Sequence, residues 1–518
     1  MSEWWRRAVL YQVYVRSFAD SDGDGVGDLP GIRSRLGHLA DLGVDGLWLT
    51  PFYPSPGADH GYDVADYTDV DPRFGTLADF DALVADAHAL GLRVVVDIVP
   101  NHTSSEHPWF RAALSSPDHP ARDRYVFRPG RNGGPPNGWT SVFGGPAWTR
   151  DDASDEWYLH FFAPEQPDLD WHCEQVRLEF EEILRFWFDR GVDGFRIDVA
   201  QALFKAQDLH EMEEPVPRTW HADWVTAANQ PELHPLYRRW REIADEYEGD
   251  RMYVAEVVLL DQERVAEYVR PDELQLAFNF TLLWEAWDAR SMRETIDRTR
   301  LALDAVGAPS SWVFENHDVT RLPTRYGGGA QGLRRARAAA LLLLALPGTA
   351  FVYQGQELGL DEVELTDDQR QDPIFFRTKG ERAGRDGCRV PIPWEGGPPG
   401  FGFTIGTPWL PMPEEWSRRT AAAQRTDPGS TLCLYRNALA LRRGLPPLRA
   451  GSFGWRESEP GSLCFEREAG GEAILCIVNT GDDAVELPDG EVLLASERGV
   501  ASALPPDTAA WLREEHGR

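Results

Sequence analysis

The chain has 518 residues, a hydrophobic content of 42% and a formal net charge of −32. This length exceeds what one compact core usually holds, so we expect two to four domains or large insertions, and the apolar content excludes wholesale disorder. The strong negative charge disfavours nucleic acid and anionic membranes as partners.

The cysteines and the apolar runs bear on location. The five cysteines are sparse, and none lies in a Cys-x-x-Cys pair, which is typical of a reducing compartment. The apolar run near the N-terminus is interrupted by Gln12 and Arg16 and lacks the small-residue cleavage site of a signal peptide. The longest apolar run, AAALLLLALPG, is about half of the roughly 20 residues that a membrane helix needs. We therefore expect a cytoplasmic protein with no membrane association.

Eight short apolar runs predict the strands of a parallel sheet that is buried on both faces. They lie near residues 8–15, 44–50, 92–99, 192–200, 252–258, 274–280, 311–316 and 349–355. Segments between them, such as 76–91 and 174–191, have the apolar spacing of helices, and Gly91 and Gly191 would end those helices. Eight strand–helix units in order predict an α/β fold, a (β/α)₈ TIM barrel.

Two connections are too long for ordinary loops, and both leave the C-terminal ends of strands, where the active sites of such barrels lie. One follows the third strand and the other, at about 358–427, follows the eighth. We expect a barrel domain at 1–102 and 172–446, an inserted domain at 103–171, and a C-terminal domain at 447–518. The alternating segments and Asp-Gly and Gly-Gly turns of the last part predict an antiparallel β-sandwich.

Charged residues end four of the predicted strands. Arg196 and Asp198 are two apart on one strand, so both would point into the barrel mouth, and Arg196 would keep Asp198 ionised. Glu256 ends the next strand, and acids in DIVPNH (97–102) and FENHD (314–318) end two others. A structural ion pair or a helix cap would explain any single acid, but the convergence of four favours an active site. Two carboxyl groups across a glycosidic bond are what retaining glycosidases require, although these residues alone do not assign the two roles.

The ordered motifs are similar to those of the α-amylase superfamily, family 13 of the glycoside hydrolases. They are HGYDVADY (60–67), DIVPNH, QPDLDW (166–171), GFRIDVA (194–200), the Glu256 strand and NHD (316–318). The resemblance runs from about residue 7 to the C-terminal domain. The QPDL form and DGCRVPIPW (386–394) resemble the branch of α-glucosidases and oligo-1,6-glucosidases. Asp170 and Ala255 depart from the usual Asn and Gly of the family, but neither change removes a catalytic group.

The resemblance implies a catalytic set in which Asp198 is the nucleophile, Glu256 the general acid and base, and Asp318 the group that stabilises the transition state. It also implies that Asp63 and Arg321 hold the far edge of the terminal sugar and close the pocket. Tyr62 would stack on the face of the sugar, and His102 and His317 would bond its hydroxyls. His60 would contact the rim of the pocket, and Phe143 and Phe162 would form its aromatic walls. The full set of implied substrate-binding residues is Asp63, Tyr62, His60, His102, Arg196, His317, Arg321, Phe143 and Phe162.

The segment DSDGDGVGD (20–28) has the spacing of a calcium-binding loop. The glutamate that ends an EF-hand loop is replaced by Gly31, and no helix precedes the segment, so it is not an EF-hand. The resemblance implies a structural Ca²⁺ or Mg²⁺ ion and no organic cofactor, and a solvated acidic turn is the alternative. The expected ligands are Asp20, Asp22, Asp24, the Val26 carbonyl and Asp28.

These features together predict a retaining, exo-acting α-glucosidase for short oligosaccharides or small α-glucosides, with some transglucosylation. Val199, directly after Asp198, resembles members that prefer α-1,6 bonds, whereas Ala200 is less typical of them, so both α-1,4 and α-1,6 linkages stay open. The alternative is a glucosyl-transferring or isomerising relative, such as a trehalose synthase, sucrose isomerase or sucrose hydrolase. No Arg-rich RLDRD loop follows Asp318, and a catalytically inactive homologue would lack carboxylates that this chain has.

Overall fold

A computed structural model of the protein describes residues 3–209 and 227–514. Eight parallel strands form the central sheet, in the order β7-β8-β1-β2-β3-β4-β5-β6. The strands are β1 Val9–Val13, β2 Gly46–Leu49, β3 Arg93–Ile98, β4 Gly194–Ile197, β5 Met252–Ala255, β6 Leu276–Ala277, β7 Ser311–Val313 and β8 Thr349–Tyr353. The Ser311 hydroxyl donates to the Ala277 carbonyl across the junction of β6 and β7, so the sheet is a nearly closed barrel. The predicted fold class and all eight predicted strands are confirmed.

The strand register brings the charged residues together. Asp97 on β3 is paired with Arg196 on β4, and Ile197 on β4 is paired with Ala255 on β5. Asp198 directly follows β4 and Glu256 directly follows β5, so the two residues are neighbours at the C-terminal rim of the barrel.

Helices surround the barrel because their apolar faces cover the outside of the sheet. The predicted helices at 76–91 and 174–191 are present as Leu77–Ala89 and Glu174–Asp189, and Gly91 and Gly191 follow them with φ of 77° and 93°. The other α-helices within the described residues are Leu29–Ser34, Leu36–Leu42, Pro108–Ser115, Leu233–Asp245, Gln262–Glu267, Phe280–Trp284, Ala289–Ala305, Leu322–Arg325, Gly329–Ala345, Pro373–Arg377, Asp386–Arg389, Ala421–Arg425, Thr431–Gly444 and Pro446–Ala450. None of the described helices is both long enough and apolar enough to cross a membrane.

The insertion after β3 carries a three-stranded antiparallel sheet of Phe127–Pro129, Glu156–Leu159 and Trp148–Asp151, with Glu156–Leu159 in the middle. Its aromatic core includes Phe143 and Phe162 and continues into Val199 and Ala202, which follow β4. The insertion therefore packs directly over the end of the strand that carries Asp198.

The C-terminal part is an antiparallel β domain, as predicted. Its five-stranded sheet has the order Ser452–Trp455, Ser462–Ala469, Glu472–Asn479, Thr508–Glu514, Gly490–Ala495, and Val485–Glu486 pairs with Ala503–Leu504. The sheet packs on the helix Gly329–Ala345, where the Trp511 ring nitrogen donates to the Leu341 carbonyl at 3.1 Å. This domain lies against the outside of the barrel.

Candidate active site

The centre of the site is one guanidinium shared by three carboxylates. Arg196 Nη1 lies 2.8 Å from Asp97 Oδ1 and 2.6 Å from Asp198 Oδ1, and Arg196 Nη2 lies 2.6 Å from Glu256 Oε2. All four side chains are buried. A buried charge is tolerated when it is paired, so the arginine allows three acids to occupy one small volume.

One arginine does not neutralise this cluster. Burial raises the pKa of Asp97 to about 7 against the opposing effect of Arg196. Burial also raises the pKa of Asp198 well above its ordinary value, and the charges of Glu256 and Asp97 add to the rise. The expected pair of Arg196 with Asp198 is present, and Arg196 opposes this rise in the pKa, but desolvation and the two like charges have the larger effect.

Strained backbone after β4 fixes the position of Glu256. Val199 has φ 45° and ψ 45°, a left-handed conformation that β-branched residues rarely adopt. In this conformation its N–H donates to Glu256 Oε2 at 3.0 Å, and the next N–H, of Ala200, donates to the Glu256 carbonyl at 2.9 Å. Such strain persists where the surroundings over-determine it, often at functional sites.

Asp318 lies in the same pocket, between two arginines. Its Oδ1 is 3.1 Å from Arg385 Nη1 and 2.8 Å from Arg389 Nη2. Despite burial, its neighbours His317, Arg385 and Arg389 hold the pKa of Asp318 well below its usual range. Asp318 is therefore a carboxylate at neutral pH. Both arginines lie in the segment after β8. The sequence predicts this segment as an insertion, but neither arginine was predicted as a site residue.

Asp59 and Arg385 form an ion pair in the lining of the pocket, and neither residue was predicted from the sequence. Arg385 Nη2 donates to Asp59 Oδ1 at 2.7 Å, and Arg385 Nε donates to Asp372 Oδ2 at 2.7 Å. Burial raises the pKa of Asp59 to about 6. Asp59 is visible in the sequence as an acid two residues before Gly61-Tyr62. The sequence does not show, however, whether Asp59 or Asp63 faces the pocket, because this depends on the path of the loop.

Three of the predicted substrate-binding residues lie elsewhere. Asp63 does not line the pocket, because its oxygens accept the Ser55 hydroxyl and the N–H groups of residues 57, 58 and 59. Arg321 is buried against Glu315 Oε1 at 2.9 Å and the carbonyls of residues 354 and 388. His60 is buried beside Arg16 and Trp409. Asp63 holds the loop that carries Asp59, and Arg321 supports the base of the insertion after β8.

The remaining predicted residues other than Arg196 meet in one cavity, which encloses about 320 Å³ with its open mouth. Its lining residues are Asp59, Tyr62, His102, Phe143, Phe162, Asp198, Val199, Glu256, His317, Asp318 and Arg385. Arg196 contacts the carboxylates from below. Phe143 and Phe162 meet edge to face at 5.3 Å, and the Arg385 guanidinium lies 4.9 Å from the Phe143 ring centre.

Two histidines supply neutral polar groups to this wall. Gln12 Nε2 lies 2.7 Å from His317 Nδ1, and His317 Nε2 lies 2.7 Å from the Tyr62 hydroxyl, which donates to Asp97 Oδ2 at 3.0 Å. The Tyr62 ring stacks on His317 at 5.4 Å. Burial lowers the pKa of His102 to about 3, and it lowers that of His317 well below the usual value. Both rings are therefore neutral, and the Gln12–His317–Tyr62–Asp97 chain fixes the His317 proton on Nε2.

The acidic loop at 20–28 brings three of its four carboxylates together. Asp20, Asp22 and Asp28 each present an oxygen within 4.8 Å of the others, and Asp24 is outside this group. Asp20 accepts the N–H groups of Asp22, Gly23 and Gly25, which folds the loop around it. Three converging carboxylate oxygens without a basic side chain in the described ion pairs fit a hard cation such as Ca²⁺ or Mg²⁺.

Comparison with known proteins agrees with this geometry. Residues 12–451 match the catalytic domain of the alpha-amylase family. The chain is 41% identical to a probable alpha-glucosidase of Rhizobium meliloti, over 94% of this chain and 91% of that protein. It is 34% identical to an oligo-1,6-glucosidase of Parageobacillus thermoglucosidasius, over 99% and 96% of the two chains.

Solved structures give the same result. The alpha-glucosyl transfer enzyme XgtA superposes with a TM-score of 0.92 at 37% identity, over 99% of this chain and 100% of that one. The trehalulose synthase MutB of Pseudomonas mesoacidophila superposes with a TM-score of 0.89 at 32% identity, over 98% and 99%. The chain therefore belongs to the alpha-amylase family, family 13 of the glycoside hydrolases, and is an enzyme of the α-glucosidase type.

Proposed function

We propose that the protein is a retaining, exo-acting α-glucosidase that releases glucose from the non-reducing end of short α-glucosides. The observation that carries the retaining mechanism is the single guanidinium that bonds Asp198 through one nitrogen and Glu256 through the other, each at 2.6 Å. Retaining enzymes hold their two carboxyl groups about 5–5.5 Å apart, whereas inverting enzymes need about 6.5–9.5 Å to admit a water. Because one guanidinium bridges Asp198 and Glu256, the site supports the shorter separation of the two carboxyl groups.

The closed end of the pocket supports exo action. In this proposal the Asp59–Arg385 ion pair, which packs on the Phe143 ring, closes the end of the pocket and blocks a further sugar of a polymer. A terminal glucose can enter with its 4- and 6-hydroxyls toward Asp59 and Arg385, where charge-assisted hydrogen bonds would hold it.

In this mechanism Asp198 attacks the anomeric carbon while Glu256 gives its proton to the glycosidic oxygen, and the aglycone leaves. Asp318, which stays ionised between Arg385 and Arg389, bonds the sugar hydroxyls and stabilises the positive charge of the transition state. The Glu256 carboxylate then takes a proton from water or from another hydroxyl, which attacks the glucosyl ester and frees Asp198.

The activities of the similar proteins support α-1,4 or α-1,6 hydrolysis together with some glucosyl transfer. One relative is named a probable alpha-glucosidase and another an oligo-1,6-glucosidase, and XgtA is titled an alpha-glucosyl transfer enzyme.

The five cysteines carry free thiols, which supports a cytoplasmic location.

We also propose that the loop at 20–28 holds a structural Ca²⁺ or Mg²⁺ ion. Asp20, Asp22 and Asp28 would supply carboxylate oxygens, with Asp24 and the Val26 carbonyl completing the set. When bound, the ion would neutralise these acids and fasten the loop to the insertion after β8, since the Asp20 N–H already donates to the Phe403 carbonyl at 2.8 Å.

The function is tested by assaying the purified protein on maltose, isomaltose, sucrose and trehalose, and by repeating the assay with the Asp198→Ala variant. We expect glucose release from maltose or isomaltose and a loss of at least about 10⁴-fold in the variant, because alanine cannot form the covalent glucosyl ester. Near-normal turnover by Asp198→Ala would overturn the assigned role.

A further inference from the structure

A second cavity lies at the N-terminal end of the barrel, opposite the active site. It encloses about 1180 Å³ with its open mouth. Val9, the first residue of β1, and Asp45, directly before β2, contribute to its lining, together with the N-terminal segment and the helix Thr431–Gly444. The cavity shares no lining residue with the sugar pocket and belongs to a face of the barrel that the proposed function does not use.

The lining of this basic cavity carries a surplus of positive charge, although the chain as a whole has a formal net charge of −32. The charged residues of the lining are two acids, Glu3 and Asp45, and five arginines, Arg6, Arg7, Arg442, Arg443 and Arg449. A cleft lined by one sign of charge focuses the potential and concentrates small ions of the opposite sign. The basic cavity is therefore a place where this acidic protein attracts anions.

The two acids of the lining are already engaged. Arg6 donates to the Glu3 carboxylate, so these two charges offset each other. Asp45 Oδ2 accepts the Val9 N–H at 2.8 Å, and Asp45 Oδ1 lies 3.8 Å from Arg443 Nη2. The other three arginines of the lining have no carboxylate partner among the described ion pairs.

Buried arginines keep the floor of the basic cavity positive. Arg442 is buried, and its guanidinium donates to backbone carbonyls within 344–348 at 2.6–3.0 Å. Its neighbour Arg467 is also buried and donates to three backbone carbonyls, one of them that of Ala345. Carbonyl dipoles hold these guanidiniums but do not cancel their charge. Burial lowers the pKa of Arg442 to about 10 and that of Arg467 to about 9, so both stay protonated at neutral pH.

Arg7 and Arg449 are the arginines that can reach a ligand. Both are exposed, and within residues 3–209 and 227–514 neither guanidinium has an ion pair or a hydrogen bond. A guanidinium presents a planar fork of N–H donors that matches two oxygens of one phosphate group. Two such forks beside a positive floor suit an anion with two linked phosphate groups better than an anion with a single charge.

An aromatic ring completes the lining. The Trp4 ring nitrogen donates to the Asp250 carbonyl at 2.9 Å, which fixes the ring, and the Arg93 guanidinium lies 5.6 Å from its centre. Trp4 is half-buried and lines the cavity. The flat, partly exposed ring is a surface on which the base of a nucleotide can lie.

We propose that the basic cavity binds a diphosphate group, either as inorganic pyrophosphate or as part of a nucleotide such as ADP. The guanidiniums of Arg7 and Arg449 donate to the phosphate oxygens, and Arg442 contributes its charge from the floor of the cavity. This inference does not rest on the proposed function, because it uses none of the residues of the sugar pocket.

Isothermal titration calorimetry of the purified protein tests the inference, with pyrophosphate and ADP as separate titrants at low salt. We expect saturable binding with a Kd below about 1 mM, and we expect it to weaken as NaCl is added because the contacts are ionic. Tighter binding of ADP than of pyrophosphate assigns the site to a nucleotide, and equal binding assigns it to the phosphate chain alone, so both results support the inference. Absence of saturable binding of both titrants would overturn it.

Variants of the two exposed arginines locate the binding. Arg7→Gln combined with Arg449→Gln should raise the Kd by about tenfold or more, since each change removes a charge-assisted hydrogen-bond donor. Arg334→Gln is the matched control, because it removes the same charge from an exposed position on the helix Gly329–Ala345, outside the basic cavity. The control should leave the Kd unchanged. A double variant that binds as tightly as the wild type, or a control that weakens binding equally, would contradict the inference.

The same double variant separates two other effects of these anions. Binding to Arg385 and Arg389 in the sugar pocket, and removal of the metal ion proposed for the loop at 20–28, would continue unchanged when Arg7 and Arg449 are replaced. The thermal midpoint of the double variant, measured without anion, should equal that of the wild type because both side chains are exposed. Loss of anion binding at an unchanged thermal midpoint is therefore the result that the inference predicts.

Discussion

At the residue scale, the site depends on which side chains of an irregular loop face inward. Asp59 and Asp63 are four residues apart, and both are buried. Asp59 meets Arg385 in the pocket, whereas Asp63 accepts three backbone N–H groups and a hydroxyl of its own loop. The two acids therefore have separable roles, one in substrate binding and one in stability.

Asp59→Ala should lower kcat/KM for maltose by about 10- to 100-fold, which corresponds to one charge-assisted hydrogen bond, while Arg385 stays paired with Asp372. Asp63→Ala should instead lower the free energy of unfolding by roughly 3 kcal/mol or more, because three backbone donors lose their acceptor. Steady-state kinetics and thermal unfolding of both variants check this. A larger kinetic defect in Asp63→Ala, with unchanged stability, would restore the assignment made from the sequence.

The carboxylate cluster also predicts a pH effect. The nucleophile must be ionised, so kcat/KM should fall as the pH drops through the pKa of Asp198 in the free enzyme. The Asp97 charge raises that pKa, so Asp97→Asn should move the acidic limb of the profile to lower pH, even though the maximal rate also falls. A pH profile of kcat/KM measured with an aryl α-glucoside tests the direction. A limb that stays in place or moves to higher pH would contradict the proposed coupling.

At the element scale, the loop at 20–28 and the insertion after β8 are built against each other. Gly25 has φ 95°, and a Cβ at this position would lie 2.0 Å from the Thr407 carbonyl oxygen. The Gly25 carbonyl accepts the Trp409 N–H at 3.0 Å. The same insertion carries Arg385 and Arg389, so the loop supports the closed end of the pocket from outside.

Gly25→Ala should therefore lower stability by roughly 1–3 kcal/mol, because both the backbone strain and the clash must be relieved by moving the insertion. Gly91→Ala is a suitable control, since its φ is also positive but nothing lies within 4 Å of the added Cβ. Thermal unfolding of the two variants separates the cost of the clash from the cost of strain. Equal losses would argue against tight packing of the loop on the insertion.

Removal of the proposed metal ion should act on the same element. Treatment with a chelator should lower the thermal midpoint of the wild-type protein, and Asp22→Ala should abolish this dependence, because a ligand that binds only the folded state stabilises it by mass action. Elemental analysis of the purified protein gives an independent readout. A full complement of bound Ca²⁺ or Mg²⁺ in Asp22→Ala would contradict the assigned ligand set.

At the scale of the whole molecule, the regular parts were predictable and the irregular parts were not. The barrel strands are short, mainly apolar runs, and the ends of parallel strands converge, so Asp198, Glu256 and Asp318 could be placed together from the sequence. Asp59 and Arg385 lie in loops, where no periodicity fixes the direction of a side chain. Arg321 was misplaced for the same reason, because it lies in a turn after β7 and faces the core.

The central claim is that Asp198 forms a covalent glucosyl intermediate in a pocket that admits one terminal sugar. The most direct test is nuclear magnetic resonance of the first glucose released from an aryl α-glucoside, recorded before mutarotation. Two successive displacements at the anomeric carbon predict that α-glucose appears first. The first appearance of β-glucose would mean a single displacement by water and would contradict the account.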